Sequence, residues 1–306
     1  MREYTALTTF SCTIAAFTNF FRLHNIDIMP EEMFCILDGF NISYSSVKQG
    51  IEMPDLFSKV SDFGVRCLEM EYDDINLEEH EKQCGIAYVR TFELDYNKFY
   101  QTKENYDRTH FIIIGKVQLG RIEVLDTHFT CDSSYKISSY YGSMNVESFK
   151  KAFINAYYLE LSEFHYDKER IFGYFIDALE RFITGYKVGD KFYGIWGIYQ
   201  YFVDVLSQTD YDLYKMSIEI NYNIKICSIL YILNYCISII SMYDNESEYI
   251  SLLGQEKELW NRIAFLLLKT GIEGNSEKFK KIIQDDCLPN IERLKQLMYV
   301  YLESKH

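Results

Sequence analysis

The spacing of apolar residues changes about halfway along the chain, and this change constrains the fold more than any other feature. From residue 145 onward, apolar side chains recur every three or four residues, which is the period of an amphipathic helix. Six such segments follow one another, among them RIFGYFIDALERFITGY and EYISLLGQEKELWNRIAFLLLK. We identify no β-type alternation between them, and the C-terminal half is therefore predicted to be an all-helical bundle or lid.

Residues 1–144 instead alternate between helical and strand patterns. Helices are predicted in the first apolar run, in IMPEEMFCILDGF and in DLFSKVSDFGV (residues 28–40 and 55–65). Strands are predicted for VRCLEMEY, for GIAYVRTFEL and for the pair HFIIIGKV and RIEVLDTHF, which QLG joins as a hairpin. The predicted fold class is α+β, with one domain over residues 1–144 and an all-helical domain over residues 145–306.

Composition places the chain among folded proteins and bears on its compartment. The length of 306 residues, a hydrophobic content of 48% and only 3 prolines exclude a disordered chain. The eight cysteines form no CxxC pair and have no zinc-like spacing, and the polar start MREYTALTT does not resemble a secretory signal. We therefore expect free thiols, no structural zinc site and a cytoplasmic location.

Charge and hydropathy limit the classes of partner. The formal net charge of −14 argues against nucleic acid and is compatible with a cationic substrate, which an acidic cleft would concentrate. Residues 226–242 carry no charge, but these 17 residues fall short of the length of about 20 that a membrane helix needs. Asn234 within the run, with Lys225 and Asp244 beside it, favours a buried helix of the bundle over a membrane span.

The run TTFSCTIAAFTNFF places a cysteine where a polar segment becomes an amphipathic helix. Ile14, Phe17 and Phe21 define the apolar face, so the helix should begin near residues 11–13, with Ser11 or Thr9 as its N-cap. Cys12 would then lie in the first turn, where unpaired N–H groups and the positive end of the helix dipole favour a thiolate. The alternative is that Cys12 is a small buried hydrophobe, as most free cysteines are.

Two further residues complete a candidate site with Cys12. A cysteine nucleophile needs a base, and an imidazole base needs a hydrogen-bond acceptor that fixes its tautomer. His110 begins the first strand of the predicted hairpin and Asp126 ends the second, so that the two can meet across adjacent strands. His128 is the rival base, because two residues along a strand return to the same face. A metal site built from Asp126, His128 and another ligand is a further alternative without recognisable spacing.

The first half of the chain resembles the butirosin-biosynthesis H-type N-terminal domain family, which is related to papain-like peptidases. The resemblance covers roughly residues 5–145 and is carried by SCTIAAFTNFFRLHNIDIMPEEMFCILDGFNISY, followed in order by LFSKVSDFGV, GIAYVRTFELDY, THFIIIGK and IEVLDTHF. The matching positions are Cys12, Glu31 or Glu32, Gly39 and Tyr44.

This resemblance implies a papain-like cysteine-peptidase fold for the N-terminal domain, with a helix-borne cysteine and an antiparallel sheet. It implies Cys12 as nucleophile, His110 as base and Asp126 as the orienting acid. The implied reaction transfers an acyl group from a carrier-protein thioester, presented on a phosphopantetheine arm, to an amine acceptor. Related papain-like amide synthases join a carrier-bound chain to a diamine. No bound cofactor or metal is implied.

One departure from the papain-like pattern affects the choice of reaction. Such peptidases place a glutamine about six residues before the cysteine as an oxyanion donor, whereas position 6 is Ala6 and residues 1–48 contain no glutamine. The oxyanion donors would then be the Cys12 N–H with Thr8, Thr9 or Tyr4. This weakens the case for ordinary proteolysis, because a peptide amide is less activated than a thioester. A peptidase or amidase, and a binding module without catalysis, are the alternatives.

Partner surfaces are less well defined by the sequence. Carrier proteins are usually acidic, so docking on this acidic chain would need a local basic patch, for which Lys187, Lys191 and residues 278–281 are candidates. Glu93, Asp95 and Tyr96 are candidate contacts for an amine, against the alternative of ordinary loop surface. The helical half is expected to supply a cover, a carrier-docking face or a homodimer contact. No phosphate-binding loop supports an ATP-driven ligase.

Overall fold

The computed structural model describes residues 5–9, 11–52, 59–71, 85–101, 108–130, 137–165, 167–209 and 211–305. The fold is α+β, with antiparallel sheets in the N-terminal part and a mainly helical C-terminal half. Cα packing divides the chain into two units, one of Met1–Met33 with Val60–Tyr166 and one of Phe34–Lys59 with Asp167–His306.

The secondary structure elements follow one another with short connections. The strands are β1 (Ser43–Ser45), β2 (Gly50–Glu52), β3 (Arg66–Met70), β4 (Gly85–Arg90), β5 (Thr109–Gln118), β6 (Arg121–Thr130), β7 (Ile137–Asn145), β8 (Phe153–Glu160), β9 (Tyr186–Val188) and β10 (Lys191–Tyr193). The helices are α1 (Cys12–Leu23), α2 (Pro30–Ile36), α3 (Val146–Ala152), α4 (Lys168–Thr184), α5 (Gly194–Ser207), α6 (Leu213–Tyr222), α7 (Ile229–Tyr243), α8 (Ser247–Ile272), α9 (Ser276–Ile282) and α10 (Leu288–Glu303).

The first unit is built on an antiparallel six-stranded sheet in the order β3-β8-β4-β5-β6-β7. The predicted hairpin is confirmed as β5 and β6, in which Gln118 pairs with Arg121. Its two turn residues, Leu119 and Gly120, both have positive φ angles (52° and 73°). Two-residue turns of this kind match the right-handed twist of the flanking strands, so the turn sets the register of the two strands.

Helix α1 packs on strands β4, β5 and β6 through a fully buried apolar face. The face includes Ile14, Phe17 and Phe21, which are the residues whose spacing predicted the helix. Ser11, rather than Thr9, is the N-cap, and its Oγ accepts a hydrogen bond from the Ile14 N–H at 3.4 Å. Cys12 is therefore the first residue of the helix.

The second unit contains a small antiparallel sheet in the order β2-β1-β10-β9 together with helices α4 to α10. The stretch Leu213–Tyr243 is long and apolar enough to cross a membrane, but 67% of its most apolar window is buried inside the protein. Because the core helix of a globular protein meets the same criteria of length and composition, this stretch is weak support for a membrane span.

The expectation of an all-helical C-terminal half is wrong in two places. The segment ESFKKAFINAYYLEL is helical only to Ala152 and continues as β8, whose register pairs Ala156 with Ala87 on one side and Leu159 with Cys67 on the other. The predicted turn at GYKVGDKF is the tight hairpin of β9 and β10. In both cases strand partners distant in sequence override a local helical pattern.

Two details of the predicted first half also differ from the structure. In the described part of DLFSKVSDFGV, a single 3-10 turn (Val60–Phe63) ends at Gly64, whose φ of +76° stops a helix; residues 53–58 lie outside the described part. Packing also divides the chain differently from the predicted boundary at residues 144 and 145. The reason is that β8 completes the first sheet, whereas β1 and β2 pair with β10 in the second.

Candidate active site

Cys12 lies partly exposed at the start of α1, and three hydrogen-bond donors surround its sulfur. They are the ring of His110, the main-chain N–H of Phe111 and the side chain of Thr13. The ladder between β5 and β6 begins only at Ile113, which leaves the main-chain N–H of Phe111 to donate to the sulfur. The thiol is thus held at a site built to stabilise its anion.

The structure brings His110 and Asp126 together across strands β5 and β6. His110 Nε2 donates to Asp126 Oδ1 at 2.8 Å, and the two residues are 5% and 0% exposed. Because Nε2 faces the carboxylate, Nδ1 is the ring nitrogen that remains for Cys12. The three residues named from the sequence therefore form one hydrogen-bonded series, Cys12–His110–Asp126.

The electrostatics of the series favour a thiolate–imidazolium pair. Burial raises the pKa of the Cys12 thiol, but the hydrogen bond and the charge of His110, helped by the Phe111 N–H, outweigh it and leave the pKa below its ordinary value. Burial lowers the pKa of His110, but the charge of Asp126 and its hydrogen bond raise this pKa to about 10. Each charged partner stabilises the other.

Asp126 is fixed by two further donors besides His110. The main-chain N–H of His128 donates to Oδ1 at 3.0 Å, and the Tyr96 hydroxyl donates to Oδ2 at 3.2 Å. The register between β6 and β7 shifts between Asp126 and Phe129, and this irregularity turns the His128 N–H toward the carboxylate. A buried carboxylate with all these bonds has a defined orientation.

His128, the rival base, does not touch the Asp126 carboxylate with its ring. Its Nδ1 instead donates to the Thr9 carbonyl at 2.8 Å. The same-face argument fails because the irregular register interrupts strand alternation at this point. Burial, together with the charge of His110, lowers the pKa of His128 to about 4, so the ring is neutral near pH 7.

Tyr96 is a site residue whose place the sequence did not indicate. It was a candidate amine contact, but its hydroxyl bonds to Asp126 and its ring stacks on Tyr140, with centroids 4.5 Å apart and planes at 4°. Asp95 accepts a hydrogen bond from the Asn145 N–H, and Glu93 ends a 3-10 turn. No sequence signal links Tyr96 to an acid 30 residues away.

The remaining candidates have less distinctive surroundings. Lys191 pairs with Glu52, Lys187 lies over the Phe192 ring at 4.4 Å, and Lys280 donates to the Gln208 carbonyl at 2.9 Å. Tyr4 lies outside the described residues. In the part of the chain that the structure describes, no three or more His, Cys, Asp or Glu side chains group so as to hold a metal ion.

Comparison with known proteins finds no family and no curated protein that matches this chain. Function is therefore argued from the geometry and chemistry of the site.

Proposed function

We propose that this protein is a cysteine-dependent acyltransferase that forms an acyl-enzyme at Cys12 and passes the acyl group to an amine. The observation that carries the proposal is the hydrogen-bonded series of Cys12, His110 and Asp126, with a lowered thiol pKa at one end and a buried carboxylate at the other. A nucleophile, a base and a group that orients the base are the parts that covalent acyl transfer requires.

The first half-reaction acylates the enzyme. The Cys12 thiolate attacks the carbonyl carbon of a thioester, and the bond from that carbon to the donor sulfur breaks as the new bond to Cys12 remains. The His110 imidazolium gives its Nδ1 proton to the departing thiolate and becomes neutral. The main-chain N–H of Cys12, in the first turn of α1, is one donor for the oxygen that becomes negative during the attack.

The second half-reaction transfers the acyl group. The amine attacks the acyl-Cys12 carbonyl, its N–H proton passes to His110 Nδ1, and Cys12 leaves as a thiolate. The products are the amide and the original thiolate–imidazolium pair. Asp126 keeps Nε2 protonated and the ring in position through both halves.

Two features favour a thioester donor and an amine acceptor. Residues 1–48 contain no glutamine to act as a second oxyanion donor, and an activated thioester needs less such assistance than a peptide amide. The formal charge of −14 favours a cationic acceptor. The proposed donor is a carrier protein that presents the acyl group on a phosphopantetheine arm, as the family resemblance implies.

The alternative is a cysteine peptidase or amidase with the same three residues, in which water replaces the amine. The test is to incubate the protein with an N-acetylcysteamine thioester, with and without a diamine, and to follow the products and the mass of the Cys12 peptide. Acylation at Cys12 and amide formation support transfer, whereas free acid with or without the diamine supports hydrolysis. C12A should abolish acylation, and the matched control C67A, at a partly exposed cysteine of β3, should retain it.

A further inference from the structure

The extended segment that leads into Cys12 is held by side chains from two different elements. At Leu7, the amide side chain of Asn19 bonds to both main-chain groups: the Leu7 N–H donates to Oδ1 at 2.9 Å, and Nδ2 donates to the Leu7 carbonyl at 2.7 Å. Asn19 is fully buried on α1, and its Nδ2 also donates to the Ala15 carbonyl at 2.7 Å. An ordinary side chain is thus used as a strand partner.

The second attachment lies two residues further on, at Thr9. His128 Nδ1 donates to the Thr9 carbonyl, and the His128 N–H donates to the same Asp126 oxygen that accepts from His110. The contacts therefore form a closed circuit. From Cys12 the hydrogen bonds run to His110, Asp126, His128 and Thr9, and the chain itself returns from Thr9 to Cys12.

We propose that Asn19 and His128, hereafter the N-terminal clamp, are positioning residues that hold the main-chain N–H of Cys12 where the acyl oxygen becomes negative. This inference rests on the proposed function. Oxyanion donors act through being fixed in advance, and a main-chain donor is only as fixed as the segment before it. Without the glutamine of related enzymes, this chain relies on that main-chain donor more heavily.

The chemistry of His128 suits a tether and does not suit a second base. The Thr9 carbonyl can only accept, so it selects the tautomer with the proton on Nδ1. The His128 and His110 rings lie 6.1 Å apart, and a charge on His128 would oppose the imidazolium that Cys12 needs. The neutral ring supplies a hydrogen bond without that cost.

The test compares H128L, which removes the donor, with H128N, whose side-chain Nδ2 can occupy the place of the imidazole Nδ1. Two reactions of Cys12 are followed by mass: acylation by S-phenyl thioacetate, which develops an oxyanion, and alkylation by iodoacetamide, which does not. We expect acylation by H128L to fall about 10²-fold, the low end of the loss for one oxyanion donor. Alkylation should change by less than threefold, and H128N should recover most of the acylation rate.

Amide hydrogen exchange over residues 5–14 measures the tether without any acyl chemistry, and H128L should exchange faster there than the wild type or H128N. Unchanged exchange, unchanged acylation, or an equal fall in acylation and alkylation would each overturn the role of the clamp. If the wild-type protein is never acylated, the proposed function and the clamp's role in it both fail. A wild-type protein that is acylated as fast as H128L removes the clamp alone.

Discussion

His110 and Asp126 meet through a contact of 2.8 Å that joins two strands 16 residues apart in sequence. The two-residue turn at Leu119 and Gly120 sets the pairing of β5 with β6, and a register shift between Ile114 and Val117 adjusts it. The carboxylate that results is buried, so its charge acts on the imidazole with little screening by water. The predictions that follow concern this contact, the groups around it and the packing of the second unit.

Removing the charge of Asp126 should dissolve the thiolate–imidazolium pair. In D126N, the pKa of His110 should fall from about 10 toward 6.5 and the pKa of Cys12 should rise, because each charge stabilises the other. We expect acyl transfer near neutral pH to fall about 10²-fold, at the lower end of what a positioned acid or base contributes. Ultraviolet thiolate absorbance followed against pH measures the Cys12 shift; an unchanged titration would contradict the account.

The pH dependence of wild-type acylation should form a broad bell. The rate should rise as Cys12 ionises at a pKa below the ordinary thiol value and fall near pH 10 as His110 loses the proton that the leaving thiolate needs. The sign for stability follows from the raised pKa of His110. The stabilisation from its pairing is fully present below pH 6.5 and is lost as the pH rises through about 10. Urea unfolding at a series of pH values, compared between the wild type and D126N, should show the difference shrinking over that interval.

Tyr96 should contribute to stability through its bond to Asp126. Y96F removes the hydroxyl that donates to Oδ2 and keeps the ring that stacks on Tyr140. The free energy of unfolding should fall by about 1.5–3 kcal/mol, the usual contribution of a hydrogen bond to a charged group. Chemical denaturation with both variants measured at the same pH provides the value.

The matched control for Y96F is Y88F. The Tyr88 hydroxyl bonds to Thr109 Oγ1 at an exposed position, and its loss should cost less than about 0.5 kcal/mol. Equal losses in the two variants would mean that the bond to Asp126 has no special weight.

Two helical glycines of the second unit should respond oppositely to alanine. A Cβ at Gly197 on α5 would overlap the Phe192 carbonyl, whereas a Cβ at Gly173 on α4 would meet nothing within 4 Å. G197A should therefore lower the melting temperature. G173A should raise stability by about 0.5–1 kcal/mol through helix propensity. Circular dichroism during heating measures both, and a stabilised G197A would contradict the packing of β10 on α5.

Much of this site could be predicted from local sequence patterns. The period of Ile14 and Phe17 located α1, the polar residue before it gave the cap, and alternation around a turn gave the hairpin that carries His110 and Asp126. Each of these depends on residues close together in the chain, and local rules describe them well.

The features that escaped prediction depend on contacts distant in sequence. Strand β8 follows a helical pattern and is a strand because β3 and β4 pair with it on both sides. The irregular register after Asp126 turns the His128 ring to Thr9, 119 residues earlier in the chain. Tyr96 reaches Asp126 from a 3-10 turn region with no motif of its own. Sequence alone does not fix such partners.

The most direct test of the central claim is the rate at which iodoacetamide alkylates each cysteine, followed by peptide mass spectrometry across a range of pH. The account predicts that Cys12 reacts about tenfold faster than the other seven cysteines near pH 7, with a midpoint below that of an ordinary thiol, and that H110A removes this advantage. If Cys12 reacts no faster than the others, or if H110A leaves its midpoint unchanged, the histidine does not activate the thiol and the proposed acyl chemistry is contradicted.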